Sequence, residues 1–236
     1  MTDSPIIIVG SLMSWPRSYQ ELSRTLREVS GAEVHVARIT PLDWFLARFK
    51  GYGQLVFEIA RTVDKALLES DSKKAILVGH SAGGIACRIY LGGDPPYGGR
   101  RYTGYRRVSN LITLGSPHVV PDSRVLAPIN RVNSLFPGAL HEGIDYLSVA
   151  GGAVDGASSR RACKSYGRLA PDGRVPGGGI VPVEAALLPD SEHLVLDDVH
   201  HSRRVGKWYG SNREAVEQWW PGGLRAQDDL VEERRA

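Results

Sequence analysis

The sequence predicts an α/β fold, with a mostly parallel sheet of about six strands flanked by helices and a first strand at 5–10. Two observations carry this. Short apolar runs without alternation, "PIIIVG" (5–10), "KAILVG" (74–79) and "VSNLITLG" (108–115), read as strands buried on both faces. Between them lie longer segments with helical spacing, which supply the crossovers that parallel strands need.

The elements follow in order. After the first strand, 17–30 reads as a helix with Leu22, Leu26 and Val29 on one face. "AEVHVARI" (32–39) alternates as a strand. The segment 52–69 places Leu55, Ile59, Val63, Ala66 and Leu67 at helical spacing. "KAILVG" is the next strand and "GIACRIYL" (84–91) the next helix. Strands follow at 108–115, at "IDYLSVAG" (144–151) and at "EHLVLDD" (192–198). "REAVEQWW" (213–220) is a last helix, stopped by Pro221 and Gly222. Three excursions rich in Gly, Pro, Arg and Tyr interrupt the pattern at 92–107, 119–143 and 152–180. Loops of that length are usually functional or mobile, and 119–143 is a candidate small lid. The reading is therefore one domain over 1–221 and a charged tail over 222–236.

Composition narrows the function. Hydrophobic residues make up 42% and charged residues 23%, as in an ordinary globular protein. The net charge of +3 is small and the arginines are scattered, so no nucleic-acid partner is expected. The N-terminal apolar run is too short for a signal peptide, and no stretch is long enough for a transmembrane segment. Cys87 and Cys163 lack metal spacing and form one disulfide at most; the reading is two packing cysteines in a cytoplasmic protein. No cluster of His, Asp or Glu has metal-ligand spacing apart from the His200-His201 pair, so no metal is expected.

The chemistry-bearing motif is "GHSAGG" (79–84), a G-x-S-x-G between a strand and a helix. A nucleophile on a tight, strained turn needs small neighbours two positions away, and Gly79 and Gly83 meet that demand. Gly84 lets the helix start close to the sheet. The turn lifts Ser81 Oγ out at the C-terminal edge of the sheet, where ligands bind in such folds. It also aims the Ala82 N–H at the site of a developing oxyanion. A second donor is expected from the loop "VGSLMSW" (9–15), with the Leu12 N–H as the choice. A serine hydroxyl needs a base at neutral pH. His200 and His201 follow the last strand at its C-terminal end, where that base belongs. Met13, Trp15, His80, His118 and Trp208 are candidate pocket walls.

The ordered set of motifs resembles the lipase-like α/β-hydrolases of plants and bacteria. The matching pieces are "LVGHSAGGIACRIYLGG" (77–93), "LITLGSPH" (111–118), "PGA" (137–139), "YLSVAGG" (146–152), "GGGIVPVEAALL" (177–188), "HS" (201–202) and "WYGS" (208–211). The resemblance runs from Ile6 to about Trp220. It implies a carboxylic-ester hydrolase acting on a small-molecule or lipid ester without a cofactor, with His201 as the base. The usual first loop, P-G-F, is replaced by Gly10-Ser11-Leu12.

One departure matters more. The resembling sequences carry G-D-G where this chain has Gly177-Gly178-Gly179, so the position of the triad aspartate is filled by Gly178. Loss of the acid alone costs roughly 10⁴-fold in kcat in serine hydrolases. Asp172, in "DGRVP", Asp155, in "GGAVDG", and Glu184 are the candidate substitutes. The other reading has no direct acid, with water or a backbone carbonyl orienting His201. The sequence thus leaves three functions: a serine esterase, an acid-deficient hydrolase that mainly binds a small acyl ligand, and an acyltransferase.

Overall fold

The computed structural model describes residues 3–220; the charged tail expected at 222–236 lies outside them. The chain opens with strand β1 (Ile6–Val9) and a 3-10 turn (Pro16–Tyr19) leading into α1 (Gln20–Ser30). α1 buries Leu22 and Leu26 and stops at Gly31, whose left-handed φ of 73° suits glycine. The edge strand β2 (Val34–Val36) is shorter than the 32–39 expected. Beyond Val36 only the Ala37 N–H still reaches β1, at Ile8 O, before the chain turns away.

Helix α2 (Pro41–Lys50) has no counterpart in the sequence reading. Thr40 and Asp43 form a reciprocal capping box at its start, and Pro41 occupies its first turn. It buries only Trp44 and Ala47, while Leu42, Phe45 and Phe49 face outward. α3 (Gly53–Ser70) packs Leu55, Ile59, Val63 and Ala66 inward, as their spacing predicts. β3 (Ala75–His80) is buried throughout and runs into α4 (Ala82–Leu91), which is buried from Gly83 to Leu91. β4 (Val108–Leu114), α5 (Ala127–Leu135) and β5 (Asp145–Gly151) follow. The excursion after β5 contains a short antiparallel pair, β6 (Val154–Asp155) and β7 (Pro176–Gly177), around α6 (Arg160–Tyr166). α7 (Val183–Ala186), β8 (Glu192–Leu196) and α8 (Arg213–Trp219) complete the described chain.

Six strands form one parallel sheet in the order β2-β1-β3-β4-β5-β8. Alternate residues of β1 serve opposite faces. Ile7 and Val9 join the core with α3 and α4, while Ile6 and Ile8 join Tyr19, Leu22, Leu26, Val216 and Trp219 under α1 and α8. Two buried layers account for the unbroken apolar runs in the strands. The chain leaves β1 toward β2 on one side and returns to β3 on the other. That reversal opens a crevice above the C-terminal ends of β1 and β3, where open α/β sheets place ligands.

Candidate active site

Ser81 stands in that crevice, between β3 and α4, at φ 55° and ψ −126°. A non-glycine residue in this region is strained and persists only where its surroundings hold it. Here the Ser81 N–H donates to Leu114 O of β4 (2.9 Å), and the Gly84 N–H donates to Ser81 O (3.1 Å). The neighbouring glycines are steric requirements. A Cβ on Gly79 would stand 2.5 Å from Gly84 Cα, and one on Gly83 would meet the carbonyls of Val9 and Gly10. The second contact packs the loop after β1 against the start of α4. The Ala82 and Leu12 N–H groups, the two expected oxyanion donors, have no acceptor within the described protein.

His201 follows β8 and is 4% exposed. Its Nε2 lies 3.1 Å from Ser81 Oγ, a hydrogen-bonding distance for a serine–histidine pair. Burial, and then the neighbouring His80, push its pKa down to about 3. The ring is therefore neutral near pH 7, and its tautomer decides whether Nε2 accepts from the serine hydroxyl or donates to it.

A relay of hydrogen bonds joins the two loops around this pair. The Ser11 N–H donates to Tyr19 Oη (2.7 Å), Tyr19 Oη lies 2.8 Å from His80 Nδ1, and His80 Nε2 lies 3.1 Å from His201 O. A carbonyl only accepts, so Nε2 of neutral His80 carries the hydrogen and Nδ1 accepts from the Tyr19 hydroxyl. Burial pushes the His80 pKa down to about 4, which fixes the neutral form. Tyr19 thus ties the loop carrying Leu12 to the loop carrying His201. The sequence reading missed it, because nothing in "SYQEL" distinguishes a relay tyrosine from a core residue.

A cleft of about 250 Å³ beside this relay is lined by Leu12, Met13, His80 and Trp208 among others. Trp15 is half-exposed and stacks under the Arg17 guanidinium (5.7 Å). His118, expected at the pocket wall, lies in the core instead. Its ring contacts Thr113 Oγ1 (3.1 Å) and the buried Arg88 Nη1 (3.4 Å), and its carbonyl accepts from Asn133 Nδ2 (2.6 Å). Arg88 in turn donates to Asn133 Oδ1 (2.7 Å) and Phe136 O (2.5 Å), so this network anchors α5 and its flank to α4.

The glycine loop serves the base through the backbone. Gly178 O accepts the His201 N–H (2.8 Å), and the Gly179 N–H donates to Tyr166 Oη (2.7 Å). A Cβ on Gly178 would lie 2.8 Å from His201 N. The candidate acids are engaged in turns elsewhere. Asp155 Oδ1 accepts the Ala157 N–H (2.8 Å), Asp172 Oδ1 accepts the Arg174 N–H (2.9 Å), and both side chains are exposed. Glu184 sits in the first turn of α7. None of the three is bonded to His201, whose buried Nδ1 has no partner among the described residues. Among the described residues, no group of three or more His, Cys, Asp or Glu converges to hold a metal, and no helix is long and apolar enough to cross a membrane.

No protein-family profile and no curated protein matches the chain. Among solved structures it is similar to the product of gene lin2722 from Listeria innocua, at 15% identity over 91% of each chain and a TM-score of 0.52. It is also similar to the esterase domain of a Rhodothermus marinus protein, at 16% identity over 92% of this chain and 82% of that one, with a TM-score of 0.47. Tomato methylketone synthase I aligns at 14% identity over 59% of this chain, with a TM-score of 0.38, and the match spans about half (50%) of that protein. The likeness over nearly the whole of the Listeria innocua chain agrees with the sheet order, the serine turn after β3 and the histidine after β8: the chain has the α/β-hydrolase fold.

Proposed function

We propose that the protein is a serine hydrolase of carboxylic esters, working through an acyl-enzyme on Ser81. The observation that carries this reading is the 3.1 Å approach of His201 Nε2 to the Oγ of a serine held at positive φ. In the first half-reaction Ser81 Oγ attacks the acyl carbon as its proton passes to His201 Nε2. The N–H groups of Leu12 and Ala82 receive the developing oxyanion, each contributing about 10²–10³ in rate where such donors have been removed. Collapse expels the alcohol, which takes the proton from Nε2. Water then repeats the sequence on the acyl-enzyme and releases the carboxylic acid.

The state of the base shapes the expected activity. Among the described residues no carboxylate balances the imidazolium, and burial with His80 keeps His201 a weak base. The reading is therefore a slow esterase. The test is hydrolysis of p-nitrophenyl acetate and octanoate by the wild type and by Ser81→Ala. Turnover of both esters that is lost in the variant is the expected result. Binding of the acyl product without turnover would instead support the acid-deficient binding protein.

A further inference from the structure

His201 accepts a proton at Nε2 only if Nδ1 carries the ring hydrogen, and a buried N–H needs an acceptor. In a serine triad a carboxylate supplies it. We propose that Tyr209 takes that place as the positioning residue of His201, its phenol oxygen accepting the Nδ1–H across the face of Gly115. The inference rests on the reading of Ser81 and His201 as the catalytic pair.

Two buried polar atoms without hydrogen-bond partners carry it. Among the described residues His201 Nδ1 and Tyr209 Oη are both enclosed without a hydrogen bond of good geometry, the Gly151 backbone being a further polar group near the phenol. They converge on one point, since an ideal Cβ on Gly115 would stand 2.7 Å from Tyr209 Oη and 2.8 Å from His201 Nδ1. Gly115 has a φ of 59°, and it leaves this space open. Tyr209 is fully buried, and its carbonyl accepts the Trp219 indole N–H (2.7 Å), which fixes the residue against α8. The hydroxyl and the ring nitrogen thus flank the same open point beside Gly115, and the proposed bond closes across it. Burial pushes the Tyr209 pKa far above its ordinary value, outweighing the nearby Gly151 backbone, so the phenol stays neutral. A neutral oxygen fixes the tautomer and the ring plane but does not neutralise an imidazolium. It performs the orienting part of an aspartate's task and omits the electrostatic part.

The experiment combines Tyr209→Phe, which removes one oxygen, with ¹⁵N spectra of the histidine rings. In the wild type, His201 is expected with Nδ1 protonated and Nε2 bare. In Tyr209→Phe the two tautomers mix, and kcat on p-nitrophenyl acetate falls by about 10- to 100-fold with KM within about twofold, the scale of a misplaced base. A residue that only filled the core would leave the tautomer unchanged. A bare Nδ1 in the wild type, with the phenol as donor, would overturn the proposal. So would an unaltered tautomer and kcat in the variant. The spectra need no turnover. Tyr209 is therefore judged even if the wild type hydrolyses no ester, an outcome that would count against the hydrolase reading alone.

Discussion

Gly178→Asp places a carboxylate where the resembling sequences carry one, and the structure predicts that it harms the site. The position of a Cβ is set by the backbone, whatever rotamer follows. At residue 178 it would lie 2.8 Å from His201 N, 3.1 Å from His201 Cβ and 3.2 Å from His201 Cα. The first distance is below ordinary contact, so backbone must move. Gly178 is held on both sides, by its N–H on Val181 O (3.1 Å) and by its carbonyl on the His201 N–H (2.8 Å). The strain therefore passes to His201. Overpacking of this kind costs about 1–3 kcal/mol. In a domain of this size that lowers Tm by about 2–4 °C per kcal/mol. The Nε2–Oγ distance of 3.1 Å leaves little reserve, and a shift of about 1 Å costs about 10²-fold in rate. Scanning fluorimetry and hydrolysis of p-nitrophenyl acetate measure both effects. A gain of about tenfold or more in kcat at unchanged Tm would refute the reasoning, because it would mean that an aspartate fits and reaches Nδ1.

Ser81→Ala is expected to lower kcat to background; because a missing acid already costs roughly 10⁴ of the about 10⁶ that a full serine triad supplies, the further loss is about 10²-fold. Tyr19→Phe leaves His80 Nδ1 without its donor and frees the Ser11 N–H, so stability should fall by about 1–3 kcal/mol in urea unfolding and kcat/KM by about 10-fold. His80 and His201 are buried with pKa values near 4 and near 3, against 6.5 in an unfolded chain. The unfolded chain therefore binds more protons below pH 6.5. Stability should be flat above about pH 7 and fall as the pH drops toward 4, by about 3 kcal/mol for His80 and about 5 kcal/mol for His201 once each is fully protonated. A urea midpoint that does not move between about pH 7 and pH 4.5 would contradict this assignment.

The sheet was legible because β1, β3, β4 and β5 are nearly all buried on two faces, and an unbroken apolar run as short as Ile6–Val9 suits a doubly covered strand better than a helix. α2 was hidden for the opposite reason. Trp44 and Ala47 face the core while Leu42, Phe45 and Phe49 face outward, so no single stripe marks the helix. Ser81 was legible because its strained turn demands small residues at fixed offsets. Position in chain order and the resemblance brought out His201. The groups around His201 follow no local pattern. Tyr19 reaches His80 across 61 residues of sequence, and Tyr209 Oη and His201 Nδ1 flank the same point beside Gly115, a third segment. His118 was misplaced because a histidine after a strand end reads as a pocket residue. Only the fold reveals that Arg88 and Thr113 enclose it. Asp155 and Asp172 looked like substitute acids from spacing, yet each closes its own turn.

The central claim is that His201 activates Ser81 without a carboxylate. The most direct test is labelling by a fluorophosphonate, with the modified residue located by peptide mass spectrometry in the wild type and in His201→Ala. The account predicts a label on Ser81 of the native wild type that disappears in His201→Ala and on unfolding in urea. An unlabelled Ser81 in the folded wild type, or equal labelling with His201 removed, would contradict it.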